Sequence, residues 1–218
     1  MNVPLVSCWR ETALFFSRCP QTKFVRRQAR GETMPPVTLG CDVGSRYVGW
    51  AVLDDILLAH GVWDLHETPQ GWTPEAWLVS RVGRGPRQGL RGQFRVALLA
   101  VEVFHWRRTQ PVIPEAGLIQ QRVGALFALG RPRLTVVGYP AAAWMKGVMG
   151  WLPDAPLRGS HAWKSQVRGH VGRLLDYRWP PVKPSDPRFA HDSDAAGLAL
   201  YARNAALMAA RIRASERR

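Results

Sequence analysis

Cysteine is scarce, acids are outnumbered and long apolar runs are missing from this 218-residue sequence. Each shortage excludes something. Cys8, Cys19 and Cys41 make an odd set without metal-ligand spacing. That excludes a disulfide scaffold and a thiolate zinc site and fits a reducing, cytoplasmic setting. No apolar stretch reaches the ~18–20 residues that span a bilayer, so a soluble protein with no membrane partner is expected. Internal repeats are missing too. Acids number 16 against 30 Lys and Arg, a formal net charge of +14, and Arg far outnumbers Lys. An excess of that size points to a polyanionic partner, nucleic acid or an acidic surface. Guanidinium groups also suit planar phosphate contacts.

What is present is an ordinary apolar content of 46%, enough for a packed core. Residues 1–36 differ from the rest: Arg10, Arg18, Lys23, Arg26, Arg27 and Arg30 face only Glu11 and Glu32, without sustained periodicity. A basic arm, an Arg-rich organellar presequence and a start-site artefact (Met34 precedes the first regular segment) are the three readings. The favoured one is a basic N-terminal extension outside the fold, disordered or not expressed at all.

One domain is expected over 37–213. Apolar runs at 37–43, 47–53 and 56–63, parted by Gly-Ser-Arg and by Asp54-Asp55, read as three sequential strands. PEAWLVSRV from Pro74 reads as a short helix, and 83–95 as an Arg-rich, Gly-rich loop. VALLAVEVF, 96–104, is a continuous run of buried-strand type. A helix over about 115–130, a strand at 134–139 and a loop carrying Trp144 and Lys146 follow. Residues 161–175 have helical spacing in Val167, Val171, Leu174 and Leu175. After the proline-rich break at 180–187, Ala195, Leu198, Ala199, Ala202, Ala206 and Ala209 form the small-residue face of a last helix, about 191–213. Three strands, then alternating helix and strand, then a closing helix make a mixed α/β domain.

Four polar positions stand out against this frame. Asp42 ends the first strand, either capping the Gly44-Ser45 turn or serving chemistry. Glu102 lies inside an apolar strand, where charge is seldom buried unless paired. His191 and Asp194 sit at i, i+3 on one face at the start of the last helix. Asp192 and Ser193 are alternative N-caps there. Two strand carboxylates and an acid–histidine pair are suitable ligands for Mg²⁺ or Mn²⁺, and two such ions can drive phosphodiester hydrolysis. Cys41 is expected as a small core residue.

These residues carry a resemblance. GCDVGSRYVGWAV is similar to the first motif of the RuvC family of Holliday-junction resolvases, within the ribonuclease H-like superfamily. LLAVEVF resembles its second motif and HDSDAAGLALYA its third. RGSHAWKSQVRGHVGRLL and YPAAAWMKGVMG resemble its lysine-bearing segments. The likeness covers about 37–210. It implies a ribonuclease H-like five-stranded mixed sheet flanked by helices. It also implies a metal-dependent crossover junction endodeoxyribonuclease that hydrolyses phosphodiesters with two Mg²⁺ or Mn²⁺ ions, giving symmetric nicks.

On that match Asp42, Glu102, His191 and Asp194 take the metal-binding and catalytic places, with Asp42 bridging the ions. Lys146 and Lys164 take those of phosphate-contacting lysines. Asp192 is an extra acid that could compete for the metal. Four-way DNA as substrate implies a homodimer, in a bacterial or phage-infected cell, with organellar import left open by the N-terminal arginines. Arg84, Arg87, Arg91, Arg95, Arg107 and Arg108 are candidates for backbone contacts. Phe104 and Trp106 are candidates for stacking on unpaired bases. The Phe stands two residues after Glu102, where three is the family's spacing. The alternatives are a RuvC-like nuclease acting on flaps, other branched DNA or RNA, and an inactive junction-binding protein. A sugar-kinase or actin-like ATPase would need a second Asp-Gly loop, which the sequence does not supply.

Overall fold

Val, Leu and Trp dominate the early segments, and β-branched and aromatic residues suit a pleated, buried surface. The computed structural model describes residues 35–83, 89–104, 114–131, 133–152 and 160–217. The strands β1 (Val37–Val43), β2 (Tyr47–Leu53) and β3 (Leu57–Asp64) form an antiparallel meander. Parallel to β1 runs β4 (Val96–Val103), and parallel to that runs β5 (Thr135–Pro140). The sheet order is β3-β2-β1-β4-β5.

The helices are α1 (Pro74–Val82), α2 (Leu90–Gln93), α3 (Pro114–Phe127), α4 (Ala141–Met149), α5 (His161–Leu174) and α6 (His191–Ser215). The five-stranded mixed sheet flanked by helices is therefore present. Its described residues belong to the unit Pro35–Arg218. No helix among them is long and apolar enough to cross a membrane.

The core explains where the last helix sits. Ala51, Leu53 and Ala100 of the sheet pack with Trp144 and Met145 of α4, Trp163, Val167 and Val171 of α5, and Ala195, Leu198, Ala199 and Ala202 of α6. Each large apolar side chain so buried stabilises the fold by about 1.5–3 kcal/mol. Glycine makes the closest approach possible. A Cβ on Gly40 would lie 2.1 Å from the Ala195 carbonyl oxygen, and one on Gly49 only 1.9 Å from that of His191. Small residues on both sides thus let α6 press its first turns directly onto β1 and β2.

Several expectations change. The segment holding Trp144 and Lys146, expected as a loop, is α4. Three alanines favour helix, Pro140 precedes the first turn, and Gly150 closes it at φ 80°. One helical turn, α2, lies within the expected loop at 83–95. Leu174 is 51% exposed, whereas Val167, Val171 and Leu175 are buried. The small-residue face of α6 is buried as far as Ala202, and Ala206 beyond it is exposed. Residues 1–34, most of the proposed N-terminal extension, lie outside the described residues, as do Arg84, Arg87, Trp106, Arg107 and Arg108.

Candidate active site

The chain leaves β1 toward β2 and β3, then crosses back to lay β4 on the other side of β1. Parallel neighbours whose chains depart in opposite directions form a crevice at their carboxyl ends, the usual place for a ligand in α/β sheets. Asp42 is the last residue but one of β1 there. Cys41 pairs with Val101, so Glu102 is the next residue along β4, beside Asp42. On its other side Asp42 pairs with Gly49, the glycine beneath His191. Two acids and the start of a helix meet at one point.

Hydrogen bonds fix the side chains. His191 Nδ1 lies 2.5 Å from Asp42 Oδ2. Trp144 Nε1 donates to Glu102 Oε2 at 2.7 Å. Asp194 is buried, and its Oδ1 has no hydrogen-bond partner in the structure. Tyr47 borders the site, its ring 6.1 Å from that of His191. On the opposite side of the β1–β2 turn, the buried Arg122 of α3 donates to the Gly44 carbonyl at 3.1 Å and to that of Ser45.

The electrostatics are those of crowded acids. Desolvation and then the Asp42 charge push Glu102 well above the usual carboxylate range, against the pull of the Trp144 donor. The same two causes raise Asp194, with Lys164 opposing them. Burial pulls His191 down, but the charge and hydrogen bond of Asp42 outweigh it and leave the imidazole above its ordinary value. Such perturbed groups at a crevice mark a functional site. The Cys41 thiol is buried and pushed up strongly, by desolvation first and Asp42 second, so it is an inert core residue.

Among the described residues, no three His, Cys, Asp or Glu side chains are already disposed as a cage for a metal ion. His191 is turned onto Asp42, and Glu102 onto Trp144. The donor set still suits a hard divalent cation. Three carboxylates lie within each other's field, and the buried Asp194 Oδ1 lacks a hydrogen-bond partner. Carboxylate oxygens with one imidazole fit Mg²⁺ or Mn²⁺.

Asp192 does not compete for that place. Arg168 Nη1 holds its Oδ1 at 2.5 Å, and His60 Nδ1 lies 3.1 Å from its Oδ2. Nor is it, or Ser193, the N-cap of α6. That position is Ala190, at φ 72° and without a side-chain cap. Asp42 likewise caps no turn, because the β1–β2 turn is closed by Gly44 N–H donating to the Tyr47 carbonyl.

Lys164 acts on both Asp194 and His191. Lys146 is exposed on α4, and Phe104 is 40% exposed just past β4. Arg95 is exposed before β4, and Arg91 is half-buried in α2. Trp144 and Arg122 beside the site, and Arg168 and His60 behind Asp192, were not singled out from the sequence. An indole inside the lysine-bearing segment was the one available signal, because the other contacts join residues far apart in sequence.

No protein-family model matches the chain, and no curated protein sequence matches it. Solved structures do. The fold is similar to that of RuvC from T. thermophilus in complex with a Holliday junction substrate, with a TM-score of 0.54 and 20% identity, covering 79% of this chain and 96% of that one. A second Thermus thermophilus RuvC structure gives a TM-score of 0.52 at the same identity and coverage. The fold is thus ribonuclease H-like, of the RuvC kind.

Proposed function

We propose that this protein is a metal-dependent endonuclease that resolves four-way DNA junctions by symmetric nicking. The observation that carries the reading is the meeting of Asp42, Glu102, Asp194 and His191 at the β1–β4 crevice of a fold shared with a junction-bound RuvC. Carboxylates crowded in a low-dielectric crevice take up protons or a cation, and a divalent cation is what keeps all three ionised together.

Asp42, Glu102 and Asp194 would hold Mg²⁺ or Mn²⁺, with His191 as a further ligand or as the group that orients the attacking water. When bound, two such ions supply the charge that activates water and stabilises the leaving oxygen of a phosphodiester. The chain's own residues do the rest. Trp144 keeps one Glu102 oxygen fixed. Lys164, already in the field of Asp194 and His191, contacts the phosphate beside the scissile bond, and Lys146 a neighbouring one. Arg91 and Arg95, with Arg84, Arg87, Arg107 and Arg108, grip the backbone. Phe104 and Trp106 stack at the branch. A four-way junction needs two cuts related by symmetry, so the working unit is a homodimer.

A panel of labelled substrates tests this: four-way junction, flap, linear duplex and RNA, each with Mg²⁺ or Mn²⁺. The expected result is paired nicks near the crossover of the junction. Metal-dependent cutting of flaps or RNA alone would keep the chemistry and discard the junction.

A further inference from the structure

The first turn of α6 carries three ionisable side chains in four residues, and two of them belong to the candidate site. The third, Asp192, is nearly buried, and both α5 and β3 reach it. Its Oδ1 accepts from Arg168 Nη1 of α5 at 2.5 Å and from the Ser193 backbone N–H at 2.8 Å. Its Oδ2 lies 3.1 Å from Nδ1 of His60 on β3. Both partners are held in turn. Arg168 Nη2 donates to the Pro180 carbonyl at 3.2 Å, and its guanidinium lies over the rings of Trp179 and Phe189 at 4.9 and 5.8 Å. His60 Nε2 is 2.8 Å from the Tyr177 hydroxyl, and its ring meets Trp179 edge-on.

Burying an ion pair this completely carries a desolvation cost, so its retention calls for a geometric reason. The geometry here has one. Residue Ala190, immediately before the helix, is left-handed, a conformation that a residue with a Cβ rarely holds unaided. Nothing on its side chain caps the helix. Asp192 ties that first turn to α5 and β3, and the rotation of the turn decides where His191 and Asp194 point.

We infer that Arg168, Asp192 and His60 form a clamp that positions His191 and Asp194 as metal ligands. This rests on the metal-dependent reading above. The three act through the helix turn and do not touch the metal or the substrate, so they are positioning residues. An Arg fits the task because one planar guanidinium serves Asp192, Pro180 and the two rings at once. A Lys keeps the charge and loses that fork.

The test is Mn²⁺ binding by isothermal titration calorimetry on the full chain, with the metal-free melting temperature and junction affinity measured alongside. Outer partners of metal ligands typically contribute about 10–100-fold in affinity. Arg168→Lys is expected to weaken Mn²⁺ binding by about that factor, more than any accompanying fall in melting temperature accounts for, with junction binding retained. Should Arg168→Lys not fold, a second pair decides. His60→Asn retains a nitrogen donor near Nδ1 and keeps Mn²⁺ affinity, whereas His60→Phe loses it. Wild-type affinity in both Arg168→Lys and His60→Phe overturns the inference. So does a loss that merely follows the melting temperature. If wild type binds Mn²⁺, the variants shift it and no junction is cut, the clamp stands and the resolvase reading falls. If wild type binds no Mn²⁺, both fall.

Discussion

Nδ1 of His191 lies 2.5 Å from Oδ2 of Asp42, joining the first turn of the last helix to the end of the first strand across 149 residues of sequence. That contact gathers the site, and it also stores a conflict. Without a cation, one imidazole must serve an acid that is flanked by two more.

The conflict sets a pH dependence. Glu102 and Asp194 titrate above their unfolded values. The folded protein therefore binds more protons than the unfolded chain above about pH 4, and stability falls as pH rises through that window. His191 is raised too, so its contribution is complete below about 6.5 and is lost as pH rises through the folded value. Asp192 is lowered overall, since His60 and Arg168 outweigh its desolvation. Its contribution is present above about pH 4 and lost as pH falls through the folded value. The metal-free protein is expected to melt highest at mildly acidic pH, and Mn²⁺ to move that optimum upward. Melting curves from pH 4 to 9 with and without Mn²⁺ check both points.

Neutralising one crowded acid gives a sharper version. Asp194→Asn should raise the metal-free melting temperature at pH 7.5 while abolishing the increment that Mn²⁺ adds. Each pKa unit relieved is worth ~1.4 kcal/mol, and a chain of this size gains about 2–4 °C per kcal/mol. A lower melting temperature would mean that Asp194 is not strained by its neighbours.

Trp144→Phe removes the donor to Glu102. A hydrogen bond to a charged group is worth about 1.5–3 kcal/mol, and the lost stability should fall in that range. Because Trp144 pulls the Glu102 pKa down, its removal should also shift the pH profile of cleavage to the alkaline side. Chemical denaturation and pH–rate profiles measure the two effects separately.

Gly49→Ala places a methyl where the His191 carbonyl already lies. Overpacking costs about 1–3 kcal/mol or more. The displaced helix start should cost Mn²⁺ affinity in addition, whereas Gly71→Ala, at an exposed turn, should leave that affinity intact. Calorimetry on both variants makes the comparison.

Much of this was legible in the sequence. Apolar runs ending in Asp42 and enclosing Glu102 marked β1 and β4, because a charge inside a buried run has few bland explanations. Spacing of i, i+3 placed His191 and Asp194 on one face of α6. What escaped were contacts without local periodicity. The segment after Pro140 read as a loop because the run between Pro140 and Gly150 is too short for helical spacing to repeat, and with α4 went the indole that holds Glu102. Asp192 looked like a rival ligand because its partners, Arg168 and His60, lie 24 and 132 positions away. The first is an ion pair across packed helices, and the second reaches over from the sheet edge.

The most direct measurement of the central claim compares wild type with Asp42→Asn on a four-way junction labelled on each strand in turn, with Mn²⁺ present. Paired symmetric nicks are expected from wild type, and junction binding without nicking from the variant. Nicking retained in Asp42→Asn, or metal-independent nicking by wild type, would contradict the claim.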